Sequence, residues 1–429
     1  MPGHNEGVAV TRVTTPLSVG QVPRQVEPRV VFVLHRLELR KGGLTKAWLG
    51  RVRLFAAAGW SVHLALLSPD PGIEETLRVL RGEGLLPGSV VVHHLSRDRR
   101  SWPRRVVTRV LRRGRAELIA TWLDRVASPG GAVVFADSPQ AYSLLALMGN
   151  PQVVRVFVVH LAHLSAEATR LEGRRAIANG PMTKRFSEVS DATMRAADRI
   201  VVLTDAQKQD FQLRWGTDLP IAVIPHCADP VAVPDAGYDP RLVVVVGRLD
   251  YYKRWDHAIR IMARVLREVP DARLRIYGQG EDLDRLRAVT AERGLTGSVT
   301  FAGYTTSPLE VMAGAACVIS TTRREAMPLT LLETLAVGTP VVVYDIRYGP
   351  REIVRDGVDG FVVPAHDIKA AARAVVRLLT EPELRDRMSQ SAREVTTRFS
   401  RQSHDQAWLA LGRDLYEHRG TGPGQPGPT

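Results

Sequence analysis

The chain has 429 residues, 45% hydrophobic and 24% charged, which is enough apolar material for two domains with full cores and excludes a disordered chain. Its 58 Lys and Arg outnumber 45 Asp and Glu, and the net charge of +13, carried almost entirely by arginine, favours anionic partners. Cys227 and Cys317 fit neither a disulfide framework nor a zinc site, residues 1–28 lack the apolar stretch of a signal peptide, and no run reaches the roughly 18 apolar residues of a membrane span, so a cytoplasmic protein is expected.

In chain order, residues 1–28 read as a loose polar tail. Strand 29–34, a turn at Gly42-Gly43, helix 45–58 and strand 61–67 make a βαβ unit, which implies a parallel sheet. Arg-rich helical stretches follow between 70 and 125. The densest, 97–115, interleaves apolar residues at helical spacing and predicts a helix with one basic face. Strands 132–135, 153–159 ending at His160, 199–203 and 222–224 complete the first half, and 227–239, rich in Pro and Asp, is the expected linker. The second half alternates more regularly, with strands near 243–247, 273–277, 298–301, 317–320, 341–343 and 361–363, then a helical run 368–413 and a loose tail 420–429. The fold class is α/β, two doubly wound sheets in series, with domains at 29–228 and 240–400.

Two segments carry chemistry. Leu242 to Gly247 reads as a buried parallel strand and a glycine turn, followed by Arg248 and Lys253 before a helix at 255–268. In open α/β sheets ligands bind beyond the carboxyl ends of strands, so Arg248 as a fork and Lys253 as a point charge are placed to hold a phosphate; the alternative is a basic loop in an Arg-rich chain. Farther on, Glu325 and Glu333 flank a helix start. Pro328 suits the first helical position, and Gly338-Thr339-Pro340 ends the helix. The free N–H groups of Leu329, Thr330 and Leu331 then make an anion site at the positive end of the helix dipole. A diphosphate fits between the carboxylates, one of which meets sugar hydroxyls and the other a ribose; the alternative is an amphipathic helix with Glu333 solvated.

Other signals are declined. Gly278-Gln-Gly280 reads as a tight strand-to-helix turn, Asp282-Leu-Asp284 as acids complementing a helix dipole, and His226 as a strand-end cap. His160 and His163 lack companions for zinc, and no metal site is expected.

Over residues 30–400 the chain resembles the retaining GT-B glycosyltransferases whose C-terminal half carries G-R-L…K and then E-x7-E, here Gly247-Arg248-Leu249, Lys253, Glu325 and Glu333. It is similar in particular to poly(glycerol-phosphate) α-glucosyltransferases of wall teichoic acid synthesis and to relatives that glycosylate serine-rich adhesins. That likeness rests on Gly42-Gly43-Leu44-Thr45-Lys46 with Arg51, His160 with His163, Val202 to Gln207, Val223 to His226, and Tyr344 to Glu352. The resemblance implies two Rossmann-like domains facing across a cleft, the first for acceptor and the second for nucleotide sugar, with a last helix, 401–419, crossing back to the first.

It also implies a metal-independent enzyme without a cofactor, which moves a hexose of glucose or N-acetylglucosamine type from a nucleotide sugar, a UDP-sugar, to a hydroxyl acceptor. In that mechanism Arg248 and Lys253 neutralise the departing diphosphate with the amides of Leu329 and Thr330, and Glu325 orients the sugar. Glu333 holds the ribose, His160 fixes the donor from the opposite domain, and Gly42 and Gly43 let backbone approach the phosphates. The implied acceptor is poly(glycerol phosphate) or another envelope glycopolymer, with a small molecule as the alternative, and nucleic acid is not among the partners. The 97–115 stretch would hold such a polymer, dock on the anionic inner membrane face, or stay solvated. One departure stands out: Ala326-Met327-Pro328 replaces the usual aromatic and glycine residues, and Pro328 donates no hydrogen bond to a sugar. The β-rich oligomerising insertion of the teichoic acid relatives is absent or reduced, so a trimer is not implied. The rivals are a natural-product glycosyltransferase, a GT-B epimerase and a non-catalytic GT-B partner subunit; such subunits lose the cations or glutamates, and this chain keeps all four.

Overall fold

Runs such as Val30-Val31-Phe32-Val33 and Val243-Val244-Val245 have no polar face, and only a parallel sheet covered on both sides buries such strands. The structure, a computed structural model, describes residues 27–35, 37, 42–67, 72–94, 110–128, 130–160, 190–232 and 237–420. In the first half β1 (Arg29–Leu34), β2 (Ser61–Leu66), β3 (Val91–His94), β4 (Ala132–Ala136), β5 (Val153–Val158), β6 (Arg199–Val202) and β7 (Ile221–Val223) form a seven-stranded sheet in the order β3-β2-β1-β4-β5-β6-β7. In the second, β8 (Asp239–Val246), β9 (Arg273–Tyr277), β10 (Val299–Gly303), β11 (Ala315–Ser320), β12 (Val341–Asp345) and β13 (Gly360–Pro364) form a six-stranded sheet in the order β10-β9-β8-β11-β12-β13. Every pairing in both is parallel. The order reverses between β1 and β4 and again between β8 and β11, and at such switch points the loops diverge to leave a crevice.

Helices cover the sheets on both faces. The first half uses α1 (Gly42–Ala57), α2 (Ile73–Gly82), α3 (Val110–Ala127), α4 (Pro139–Leu145), α5 (Asp191–Arg195) and α6 (Asp205–Trp215). The second uses α7 (Trp255–Val265), α8 (Leu283–Glu292), α9 (Pro308–Ala313), α10 (Leu329–Ala336), α11 (Pro350–Ile353), α12 (Ile368–Thr380), α13 (Pro382–Ala392) and α14 (Val395–Arg398). Helix α15 (Arg401–Glu417), capped by Ser400, leaves that half and packs on the first sheet. Its Trp408 is fully buried with its ring 5.6 Å from Phe135, and Arg401 forks onto Asp229 at 2.7 and 2.6 Å.

Several boundaries differ from the sequence reading. The glycine pair expected as a turn opens α1 instead, and Pro328 sits at the N-cap of α10 with ψ 112°, so the helix starts one residue later. The helix expected to run to residue 268 stops at Val265. The 368–413 run is four helices, which restart at Pro382, at Val395 and, capped by Ser400, at Arg401. Edge strand β3 was missed: its short Val-Val-His-His sequence is only partly buried and gives no apolar run. The expected linker is anchored, since Ala228 bridges to Ser400 and Asp239 already belongs to β8. Of the basic stretch, residues 95–109 lie outside the described residues and α3 takes up the chain from Val110; His163 and the tails 1–26 and 421–429 lie outside them too.

Gly278-Gln-Gly280 is the turn after β9, and tertiary packing fixes its glycines. Gly278 has φ 147°, and a Cβ there would overlap the carbonyl oxygen of Gly247; a Cβ on Gly280 would overlap that of Leu249. The β9 loop therefore lies directly against the loop that carries Arg248. Gly278→Ala is expected to destabilise the chain by about 2–4 kcal/mol, from overpacking and a strained backbone together, read as a lower chemical-denaturation midpoint.

Candidate functional site

The β8–α7 loop and the β11–α10 loop leave adjacent strands at the switch point and are stitched together. The Thr321 hydroxyl donates to the Lys253 and Arg254 carbonyls at 3.1 and 2.8 Å, and the Arg323 amide donates to the Tyr252 carbonyl at 2.8 Å. Asp250 accepts from the amides of Tyr252 and Lys253 at 3.1 and 3.2 Å, shaping a 3-10 turn over Tyr251–Lys253, and Arg254 leaves that turn in the left-handed region at φ 53°. The Trp255 indole donates to the Arg248 carbonyl at 2.9 Å. This framework sets Lys253 against Glu325: their side chains form a partly buried ion pair. The Arg248 guanidinium instead pairs with Asp250 at 3.0 Å and is more than half exposed, so it points into solvent beside that pair.

Helix α10 begins three residues after Ala326. The amide of Leu331 is bonded to the Pro328 carbonyl at 3.1 Å, which takes one of the three expected donors away and leaves those of Leu329 and Thr330 at the open end. Glu333 lies in the next turn. Burial holds its carboxyl above the usual range, opposed by Lys46 of α1. The two helices approach closely here, since a Cβ on Gly43 would overlap Leu329 Cδ1. The positive ends of α1 and α10 therefore converge, with Lys46 adding a cation, and this is an environment for a multiply charged anion.

His160 comes from the other sheet, two residues past the end of β5. Its Nε2 lies 3.0 Å from Nη1 of Arg51; the guanidinium can only donate, so Nε2 accepts and the proton sits on Nδ1, which has no partner among the described residues. Burial, Arg51 and then His226 hold the imidazole well below its ordinary pKa, so it is neutral near pH 7. Its ring stacks on His226 at 5.5 Å, and the His226 amide reaches Met327 Sδ at 3.2 Å, two residues from Glu325. His226 is thus the bridge between His160 and the β11–α10 loop, where the sequence suggested a strand cap.

Arg51 is the residue that sequence reasoning left without a role. It is fully buried on α1, its guanidinium 4.7 Å from the Trp48 ring and 4.3 Å from the Trp408 ring of α15, and desolvation pushes its pKa down to about 9. Asp137, at the end of β4, is pushed up to about 7 by burial against the counter-effect of the His35 amide and Arg51. In the sequence Arg51 stood only within the family likeness, beside Gly42 to Lys46, and without a role. The two halves meet elsewhere as well: Glu352 accepts from the amides of Asp205 and Ala206 at 3.2 and 3.5 Å, and Arg347 forks onto Asp210 at 3.2 and 2.6 Å. Among the described residues no group of three or more His, Cys, Asp or Glu converges as a metal site, and no helix is long and apolar enough to cross a membrane. Asp282 stands at the N-cap position of α8, where its carboxylate accepts from Arg285 at 2.6 Å and not from a helix amide.

Residues 233–395 match the family described as Glycosyl transferases group 1. The chain is 28% identical to a poly(glycerol-phosphate) alpha-glucosyltransferase of Bacillus subtilis over 66% of this chain and 40% of that protein. It is 36% identical to the exopolysaccharide phosphotransferase SCO2592 of Streptomyces coelicolor over 52% of this chain and 24% of that one. A poly(ribitol-phosphate) alpha-N-acetylglucosaminyltransferase of Staphylococcus aureus is 27% identical over 65% and 55%. The chain therefore spans less than two thirds of the length of these relatives. Among solved structures, S. aureus TarM with fondaparinux, alpha-GlcNAc-glycerol and UDP has a TM-score of 0.75 at 16% identity, covering 90% of this chain and 99% of that one. Sucrose-phosphate synthase from Thermosynechococcus elongatus has 0.70 at 19% identity, covering 91% and 100%. These likenesses show the fold: two parallel sheets, each with its switch-point crevice, in the GT-B arrangement, with residues 233–395 of the second half matching the Glycosyl transferases group 1 family.

Proposed function

We propose that this protein is a retaining, metal-independent glycosyltransferase that moves a hexose, glucose or N-acetylglucosamine, from a UDP-sugar to a hydroxyl of a polyol-phosphate or related envelope glycopolymer. The observation that carries this reading is the Lys253–Glu325 ion pair at the mouth of the second sheet, beside the open end of α10. A cation for the diphosphate and a carboxylate for the sugar stand in contact, as a bond breaking between those two groups requires. Lys253, Arg248 and the amides of Leu329 and Thr330 take up the charge that develops on the leaving diphosphate, and stabilisation of that charge supplies most of the catalysis. Glu325 orients the sugar and faces the positive charge at its anomeric carbon, Glu333 holds the ribose, and His160 donates Nδ1–H toward the donor from the first sheet. No side chain is assigned as nucleophile; the acceptor attacks on the face the diphosphate leaves, and a phosphate oxygen takes its proton. The acceptor class is supported by the names of the Bacillus and Staphylococcus relatives and by the net charge of +13.

Glu333→Ala is expected to raise KM for the donor by about 10-fold or more with a smaller effect on kcat, the scale of hydrogen bonds from a ribose to a charged group. The reading itself is tested by mass spectrometry of purified protein with UDP-glucose or UDP-N-acetylglucosamine, a glycerol-phosphate oligomer, and EDTA. Anomer-retaining transfer that persists in chelator is the expected result. Activity that collapses in EDTA and returns with a divalent ion would overturn it.

A further inference from the structure

We infer that two arginine–tyrosine stacks beside the ion pair, Arg323 on Tyr251 and Arg324 on Tyr252, form the subsite that grips a phosphodiester of the acceptor chain. This rests on the glycosyltransferase reading of the same site and names the group that recognises its acceptor. The two loops are built alike: Tyr251 and Tyr252 lead directly into Lys253, and Arg323 and Arg324 lead directly into Glu325. The guanidinium of Arg323 lies 5.5 Å from the Tyr251 ring and donates to its hydroxyl at 3.0 Å, and that of Arg324 lies 4.4 Å from the Tyr252 ring. Stacking holds each planar guanidinium against a ring, so that a further bond to either costs little additional entropy.

The platform is rigid. The Arg323 amide holds the Tyr252 carbonyl, and the Thr322 hydroxyl reaches that carbonyl at 3.4 Å and the Arg324 carbonyl at 3.2 Å. It is also open, because Tyr251 is 54% exposed, and no carboxylate among the described residues pairs with Arg323. Arg248, more than half exposed, pairs with Asp250, the residue before Tyr251.

A fork held by an aromatic face binds two oxygens of a phosphate at once, and the tyrosine rings offer carbon surface to the polyol between phosphates. The location selects an acceptor over a membrane. These cations stand one and two residues from the carboxylate assigned to the sugar, and the attacking hydroxyl must come within about 3–3.5 Å of the reacting carbon, which a repeat of the acceptor chain does and a bilayer surface does not.

The probe is a synthetic glycerol-phosphate oligomer of defined length, titrated into the whole chain by calorimetry at low and high salt, with UDP titrated in parallel. The parent is expected to bind the oligomer at least about 10-fold more weakly when the screening length shrinks from about 30 Å to about 3 Å, at 0.01 and 1 M salt. Arg323→Gln with Arg324→Gln is expected to raise KM for the oligomer about 10-fold or more, to flatten that salt dependence, and to change kcat less than KM; Arg323→Lys keeps the charge without the fork and is expected to fall between. Circular dichroism confirms that the variants fold. A double variant with the parent's KM and salt dependence overturns the subsite. A parent that binds UDP but never the oligomer defeats this inference and leaves the donor reading standing. A parent that binds neither defeats the donor reading.

Discussion

Lys253→Ala is expected to lower kcat/KM for sugar transfer about 100- to 1000-fold, the scale seen when one preorganised charge partner of a transition state is removed. The loss has two origins. The leaving diphosphate no longer meets a cation, and Glu325, whose side chain is paired with Lys253 and about one-fifth exposed, is left with a partly buried charge. Glu325→Gln is expected to lower kcat by a similar factor while UDP affinity stays within about threefold, because the lost charge faces the sugar and not the nucleotide. Since the two groups touch, the double variant should lose much less than the product of the single losses. Steady-state kinetics of the three variants beside UDP calorimetry checks this. Parent-like turnover in Glu325→Gln, or strictly multiplicative losses, would remove the ion pair from the centre of the site.

Arg51→Met is expected to cost activity without costing the fold. Each cation–π contact contributes about 2 kcal/mol when desolvated, and Arg51 has two, with Trp48 and Trp408. Against them stand Nε and Nη2, buried without an acceptor among the described residues, each costing about 1–3 kcal/mol. These terms nearly cancel, and a methionine fills much of the volume, so stability should change by less than about 2 kcal/mol. The His160 ring then loses the donor that fixes its tautomer, and transfer should fall about 10- to 100-fold, the scale of one hydrogen bond to a charged group.

The pH profile separates this from a packing defect. His160 faces Arg51 and His226, His226 faces Arg51 and His404, and Arg51 faces Cys227 and Asp137. Arg51 disfavours the imidazolium, so its removal raises the His160 pKa and moves the acid limb of kcat/KM to higher pH. The stability contribution follows the same sign: a histidine depressed in the folded state binds fewer protons than in the unfolded chain, so its stabilisation is present above about pH 6.5 and is lost as pH falls through that value. NMR titration of the His160 ring in both proteins reads the shift directly. An unchanged titration would mean that Arg51 is only a packing residue.

The structure also explains which parts of the site were legible. Arg248 and Lys253 were placed by a local rule, that the residues after a buried strand and a glycine turn face the sheet's mouth, and Glu325 by its loop before a helix start; these depend on sequence neighbours. Leu331 was misjudged because a proline at the N-cap leaves its own carbonyl free to accept from the third amide, a detail of ψ 112° that residue type does not reveal. The roles of Arg51 and His226 were missed because neither has a local signature. Arg51 contacts a histidine 109 residues away and a tryptophan on the last helix, and the His226 amide contacts a methionine 101 residues away.

By itself the sequence determined the fold class and the family likeness, because unbroken apolar strands, glycine turns and helix starts each follow from a few consecutive residues, and the G-R-L…K and E-x7-E motifs lie within such segments. The tertiary structure alone decided which charges meet. The Lys253–Glu325 pair joins residues 72 apart because β8 and β11 are neighbours at the switch point, and the close approach of Gly43 to the Leu329 side chain joins the starts of two helices from different halves. Strand order and interdomain approach are set by the summed packing of both sheets, and no window of sequence contains them.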